Sequence, residues 1–406
     1  MFDLDKQRKI LNKNYQDSFD RDFNYRPPEG ATYEPKRLAT PQYSPTMQWE
    51  PDDSEAIDPY SNLDLTKFMH PEVKQKSDDH QTGMTAGISP IITKVNYGNS
   101  KKGLPNTASP LRSMKKVTKG SYSNDERTIT LPKTVTSIGE NTFTNFKNLE
   151  RVIITGNVTE INMGAFKGCS SLKEITIPKS VTKIGFSAFA GCNNLTEITI
   201  PDGVTEIDFS TFEMCTGLKE ITIPNSVTKI GFSAFAECNR LTKITILNGV
   251  TKIDANAFKM CTGLKEITIP NSVTEIGNFA FDGCSNLKKI TISDNVTKIG
   301  NSAFIDCSSL TEINIPNKVT KIDNFTFKGC SNLKKITIPD NSCVTEIGKS
   351  AFAECYSLTE ITIPNGVTDI GDFAFYDCTN LKKAVIPKSV TLGKSAFDDD
   401  CQVIRR

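Results

Sequence analysis

Twelve cysteines are the most chemically capable side chains in this 406-residue sequence, and their spacing decides what they can do. Cys169, Cys192, Cys215, Cys238, Cys261, Cys284, Cys307 and Cys330 recur every 23 residues; Cys355, Cys378 and Cys401 continue the series, and Cys343 stands outside it. A zinc site needs four ligands converging from different directions. One thiol per period, always at the same place, gives side chains that point in parallel. No metal and no cofactor is expected. Neighbouring periods could bring cysteine Cα atoms within disulfide range, but parallel side chains and a reducing compartment argue against bonding. Free cysteine is a small, well-buried apolar group, so its expected role is packing. Acid–base chemistry is equally short of parts. Both histidines, His70 and His80, lie ahead of the periodic region. Neither HExxH nor a phosphate-cradling glycine loop followed by Lys-Ser/Thr occurs. The chain is expected not to be an enzyme and to have no small-molecule substrate.

The elements that carry the cysteines repeat with them. One period reads Leu172-Lys173-Glu174-Ile175-Thr176-Ile177-Pro178, then Val181-Thr182-Lys183-Ile184-Gly185, then Ala188-Phe189 and Cys192. Phenylalanine holds one place at 143, 166, 189, 212, 235, 258, 281, 304, 327, 352, 375 and 397. Leu-x-x-Ile-x-Ile predicts a short strand with its apolar residues inward, ended by a proline that removes a backbone donor. Val-Thr-x-Ile predicts a second extended piece, with glycine permitting the turn after it. No single period can bury its apolar set; stacking neighbours does so. Ser342-Cys343 lengthens one period and the last is shortened, and both changes belong in loops.

The consensus L-x-x-I-T-I-P-x-x-V-T-x-I-G-x-x-A-F-x-x-C over roughly residues 125–401 resembles the BspA-like class of leucine-rich repeats. That resemblance implies a curved solenoid with a parallel sheet on its concave face and supplies no catalytic residues. It is similar to surface adhesins of bacteria and anaerobic protists. The expected fold is therefore a repeat solenoid, a β-rich right-handed leucine-rich-repeat coil, preceded by an extended, mostly irregular N-terminal arm. The expected boundaries are a short amphipathic helix over 1–25, a Pro-rich arm and basic linker over 26–120, and about twelve solenoid turns over 121–406.

Three outward rows distinguish the surface. Arg151, Glu174, Glu197, Glu220, Lys243, Glu266, Lys289, Glu312, Lys335, Glu360 and Lys383 form a charge ladder that alternates from Glu220 onward, and opposite neighbours favour register. Thr176, Thr199, Thr222, Thr245, Thr268 and Thr291 form a threonine row, for which strand propensity is the plain account. Three residues before the core phenylalanine, most periods carry polar residues such as Asn278, Asn301, Asn324 and Asp372. Four consecutive early periods instead carry Met163, Phe186, Phe209 and Phe232. Either these form an exposed apolar stripe, which marks contact sites, or they fold over the turn and complete the local core.

Residues 1–120 share nothing with the repeat and hold 11 of the 20 prolines and the single tryptophan. Leu11, Tyr15, Phe19 and Phe23 recur at helical spacing until Pro27 and Pro28. Tyr33, Tyr43, Trp49 and Tyr60 are then scattered among prolines, which suits a strap along a partner or equally a tail without fixed structure. Residues 80–120 contain Lys94, Lys101, Lys102, Arg112, Lys115, Lys116 and Lys119 and no acid, against 11 basic and 16 acidic groups in 1–79. Such a run attracts anionic surfaces in a salt-dependent way.

The whole chain is 37% hydrophobic with net charge +1, which disfavours a dedicated nucleic-acid or membrane-surface binder. No run approaches the ~18 apolar residues of a membrane span. The first residues carry charges where a signal peptide needs its apolar region. The leading expectation is a cytoplasmic structural or adaptor protein with protein partners. Its arm would tether it to an acidic or filamentous assembly, a cytoskeletal or ciliary microtubule lattice being the favoured case. The alternative is a cell-surface adhesin.

Overall fold

The computed structural model describes residues 115–406. The helix expected over 1–25 and the arm up to residue 114 lie outside the described residues. Within them the chain winds as a parallel β-solenoid of about thirteen turns with no helix. The strands form two columns, and most turns contribute one strand to each; the segment Leu195 to Ile200 is extended without a strand of its own. The long column runs from Thr128–Leu131 to Gln402–Arg405 and is built from the Leu-x-x-Ile-x-Ile segments. The short column runs from Lys116–Val117 to Thr391–Leu392 and is built from Val-Thr-x-Ile. All pairings are parallel between successive turns, so Ile221 lies beside Ile244 and Ile253 beside Ile276.

Thirteen short strands exceed the twelve phenylalanines because Lys116–Val117 adds a turn that has none. The sheet therefore takes in residues assigned above to the linker. The insertion at Ser342-Cys343 falls between strands Lys335–Thr337 and Glu346–Ile347, and the shortened last turn still pairs in register.

Identical residues stack on identical residues. Leu172, Leu195 and Leu218, and likewise the isoleucines, valines and cysteines of successive turns, bury almost completely in one continuous core. Eleven phenylalanines from Phe143 to Phe375 have no exposed surface. Their rings, with Phe397 at the end, lie 4.9–5.6 Å apart and within 16° of parallel. Burying one such ring contributes about 1.5–3 kcal/mol.

The corner that presents each phenylalanine is not made by the glycine after isoleucine. Gly185 has an ordinary φ; the left-handed residues lie two places before and two places after the phenylalanine, as Ser187 and Gly191 flank Phe189. Every turn from Phe143 to Phe375 repeats this, with φ between 50° and 74°, even where the residue is Met214, Glu237 or Phe279. Each non-glycine in that conformation costs roughly 1–2 kcal/mol. The offset is a third ladder of backbone bonds: the Phe189 N–H donates to the Thr211 carbonyl and the Phe258 N–H to Ala280, 2.9 and 2.8 Å.

Candidate partner-binding surface

The row three residues before the core phenylalanine is held by the same corner ladder. The N–H groups of Gly164, Ser187 and Ser210 donate to the carbonyls of Phe186, Phe209 and Phe232 at 2.8–2.9 Å. One side chain per turn is thereby fixed at the turn spacing. Phe186, Phe209 and Phe232 are half-buried, and Met163 before them is 43% exposed. Phe186 meets Phe209 edge-on at 6.3 Å, and Phe209 stacks on Phe232 at 5.3 Å and 4°. The rings thus pack on one another and stay partly open to solvent.

What the other turns do with this position shows what the aromatic ones give up. Asn278 Oδ1 accepts the Asn301 N–H, Asn324 Oδ1 accepts Lys349, and Asp372 Oδ1 accepts Lys394, 2.7–3.0 Å. A polar residue here ties its turn to the next through backbone. Phenylalanine cannot accept, so Phe186, Phe209 and Phe232 forgo a bond that the repeat uses elsewhere.

The same stretch is apolar beyond the row. One residue after the core ring stand Ala190 and Ala236, with Glu213 between them, and two residues after it stand Met214 and Met260, 46% and 42% exposed. Later turns put Asp282, Ile305, Lys328, Ala353 and Tyr376 at the place after the core ring. Burial pushes the Glu213 carboxyl above the usual carboxylate range, against the pull of the Ser210 hydroxyl and of Lys167; the charge of Glu237 adds to the rise. Of the lysines near this face, Lys229 pairs with Asp254 at 2.6 Å and Lys259 with Asp282 at 3.1 Å, while the charge of Lys167 acts on Glu213 itself. Glu213 has no such pair among the described residues.

The other singled-out residues are dispersed. Lys115 and Lys116 are exposed at the first turn, where the Lys115 carbonyl accepts the Thr136 and Ser137 N–H groups. Tyr33, Tyr43, Trp49, Tyr60, Lys101 and Lys102 lie outside the described residues. The long-strand charges are in register, Lys243 beside Glu220 and Glu266 beside Lys289. Of that ladder only Arg151–Glu174, 2.7 Å, closes to an ion pair among the described residues.

The closed network is on the short strands, where sequence reasoning placed none. Lys252 bridges Asp254 and Glu275, Lys298 reaches Glu275, and Lys321 reaches Glu346, all within 2.9–3.4 Å. Its signal was available in the mixed series Lys183, Glu206, Lys229, Lys252, Glu275 and Lys298. No group of three His, Cys, Asp or Glu side chains among the described residues is arranged to hold a metal. A shallow hollow of about 370 Å³ is lined by Asn193, Asn194, Thr216, Gly217, Asn239 and Arg240, which supply no acid, thiol or imidazole.

Four overlapping segments, 115–242, 182–311, 228–342 and 297–405, match the family described as BspA type leucine rich repeat region. The fold is similar to a leucine-rich repeat protein from Bacteroides ovatus, with 30% identity over 68% of this chain and 82% of that one, and a TM-score of 0.59. It is also similar to a leucine rich cell surface protein from Faecalibacterium prausnitzii, with 34% identity, coverage of 69% and 88%, and a TM-score of 0.47. For the pneumococcal vaccine antigen PcpA the figures are 22%, 69% and 79%, and 0.48. No curated protein matches the chain significantly.

Proposed function

The chain belongs to the BspA-type leucine-rich-repeat family, and from that premise we propose that it is a non-enzymatic protein-binding scaffold whose contact surface is the row Met163, Phe186, Phe209 and Phe232. The observation that carries this is the exchange of a turn-to-turn hydrogen bond for half-exposed aromatic surface in consecutive turns. A rigid solenoid holds such a row without the ordering cost that a loop would incur on binding. Aromatic side chains dominate contact energetics where they are fixed and partly desolvated.

The test is a photo-crosslinking residue placed at position 209 in the full chain within its source cells. A discrete adduct is expected, reduced by Phe232→Ser and not formed when the probe sits at 301. Equal adducts from both positions would remove this face as the contact.

The finer part of the proposal is that the segment ahead of residue 115 carries the scaffold to an acidic or filamentous intracellular assembly. Its support is the basic run from Lys94 to Lys119 and the scattered aromatics before it. Detergent extraction of source cells separates this from a cell-surface role. Full-length chain in the cytoskeletal pellet, with residues 115–406 in the supernatant, supports the tether. Full-length chain labelled on intact cells by a membrane-impermeant reagent supports the adhesin reading and ends the tether.

A further inference from the structure

Each long strand is entered through two exposed positions, and together these make two adjoining rows along the outer face of the sheet. In one early turn they hold Lys173 and Glu174; in later turns they hold Lys288 and Lys289, or Lys334 and Lys335. Backbone bonds set the first position in one line. The Lys288 N–H donates to the Lys265 carbonyl at 2.8 Å, Thr311 to Lys288 at 3.4 Å and Lys334 to Thr311 at 2.9 Å. Strand register sets the second, with Lys289 beside Glu266 and Lys335 beside Glu312.

The two halves of this face differ. Toward the N-terminal end it closes on itself: Glu150 takes Arg127 at 2.9 Å and Lys173 at 3.0 Å, and Arg151 takes Glu174 at 2.7 Å. From Lys243 to Lys383 it stays open. Lysine holds these positions at 243, 265, 288, 289, 334, 335, 382 and 383, against glutamate only at 266, 312 and 360, and all of them are exposed. Among the described residues the one ionic partner is Asp400, on Lys382. Beyond Lys243 the flanking rows are uncharged, with Thr291, Asn314 and Thr337 on one side and Asn286, Ser309 and Asn332 on the other.

We propose that this strip binds a linear acidic polysaccharide, its anionic groups on the lysine pairs and its hydroxyls against the threonine row. The pairs at 288/289, 334/335 and 382/383 occupy alternate strands. At about 4.8 Å per strand they recur about every 9.6 Å, close to the rise of a disaccharide in an extended glycan. Glu312 and Glu360 stand on the strands between the pairs, so a ligand with charge at every step meets repulsion and one with spaced charge does not. An extended acidic peptide shows the same face every second residue, about 6.6 Å, and falls out of step. A single nucleic-acid strand is held by aromatic platforms under its bases, and these rows have none. A duplex or a membrane offers breadth, whereas the cationic strip is two side chains wide. Lysine meets an anion as a mobile point charge, so spacing supplies the selectivity.

The experiment uses the full-length chain and a short fluorescein-labelled chondroitin sulfate fragment, with one carboxylate and one sulfate per disaccharide, read by fluorescence anisotropy. Polyglutamate and oligothymidylate of the same length and label are the comparisons. The glycan is expected to bind most tightly and to weaken as salt rises. Replacing Lys288, Lys289, Lys334 and Lys335 together by glutamine should weaken it about tenfold or more. Replacing the exposed Lys133, Lys147, Lys179 and Lys183 by glutamine removes the same charge elsewhere and should change it little. The basic run from Lys94 to Lys119 stays in place throughout, so the difference reports the strip. Circular dichroism checks folding, and Lys289→Gln alone should show a smaller loss in the same direction. Phe209→Ser should leave glycan binding unchanged, which separates this surface from the aromatic row. Equal loss in the two fourfold variants, or none in either, overturns the strip. Polyglutamate or oligothymidylate binding as tightly as the glycan overturns the polysaccharide.

Discussion

The thiol of Cys261 donates to the carbonyl oxygen of Phe235 in the preceding turn, 3.1 Å away. The same carbonyl accepts the backbone N–H of Cys238 at 3.2 Å. A buried carbonyl has two lone pairs to satisfy, and here one is met within its own turn and the other by the next. Ten cysteines make this contact, from Cys169 on Phe143 to Cys378 on Phe352. The position wants a side chain apolar enough for full burial yet able to donate, and cysteine is the small residue with both properties.

Thiol reactivity should divide the cysteines accordingly. Burial pushes Cys215 and Cys261 up to about 12 and Cys192 and Cys238 well above the usual thiol range. The thiolate is the nucleophile, so these groups should be inert at pH 8. Exposed Cys343 should alkylate at once and half-buried Cys401, also pushed up by burial, more slowly. The remaining ten should label only in denaturant. Intact mass after a timed iodoacetamide pulse counts the adducts; more than two before unfolding would show that the ladder opens.

Removing one ring from the middle of the phenylalanine stack should cost more than removing one from its end. Phe258 lies between Phe235 at 5.5 Å and Phe281 at 5.2 Å with no exposed surface. Phe258→Ala is expected to lose about 3–5 kcal/mol. Phe397 is only partly buried and stacks on Phe375 alone within the series, so Phe397→Ala should lose well under that. Urea denaturation with probes at both ends of the array checks this. In a stacked array the mid-stack variant should also split the transition, whereas the terminal one should leave it single.

How much of this was legible in the sequence follows from what each position requires. Phe, Cys, Leu and Ile recur at fixed places because each must stack on its own kind, so the period alone exposed the core and the strand columns. The left-handed corners were hidden. Ser187, Met214, Asn256 and Phe279 all adopt that conformation, and no residue type marks it, because the backbone ladder compels whatever side chain is there. The charge ladder of the long strands was read in correct register, yet exposed side chains such as Lys243 and Glu220 do not close. Directly after a short strand stands Asp254, with its side chain only 10% exposed, where most other turns carry glycine, and burial there holds the ion pairs together. The aromatic row stood out in the sequence as a break in a polar position.

Glycine at one turn position offers a test free of side-chain chemistry. Gly249 and Gly366 hold the same place ahead of the short strand, where Ser226 and Ser272 stand in other turns. A Cβ at Gly249 would run into the carbonyl of Asn225 and lie 2.8 Å from that of Val227. At Gly366 the nearest atom would be the Val344 carbonyl at 3.4 Å, an ordinary contact. Gly249→Ala should therefore destabilise by roughly 1–3 kcal/mol, as overpacking does, while Gly366→Ala should be neutral or slightly stabilising through the unfolded chain. Equal thermal midpoints for the two variants would contradict this difference in backbone approach.

The two carboxylates Glu275 and Glu213 should shape the pH dependence of stability in opposite directions. Burial raises Glu275, but hydrogen bonds and charge from Lys252 and Lys298 outweigh it and hold the group below the usual carboxylate range. Its contribution is present above the unfolded-state value and is lost as pH falls through the lowered folded value. Glu213 is raised, so its linkage favours the folded state below the unfolded-state value and is lost as pH rises through the raised one. Glu275→Gln should therefore flatten the acid side of the profile, with a loss at pH 7 of at most about 1 kcal/mol because the network is partly solvated. Glu213→Gln should instead increase stability at pH 7 and remove the decline just above the ordinary carboxylate range. Urea midpoints from pH 3 to 8 for both variants separate the two effects. A Glu213→Gln variant that loses stability at pH 7 would mean that the native chain already pairs this carboxylate.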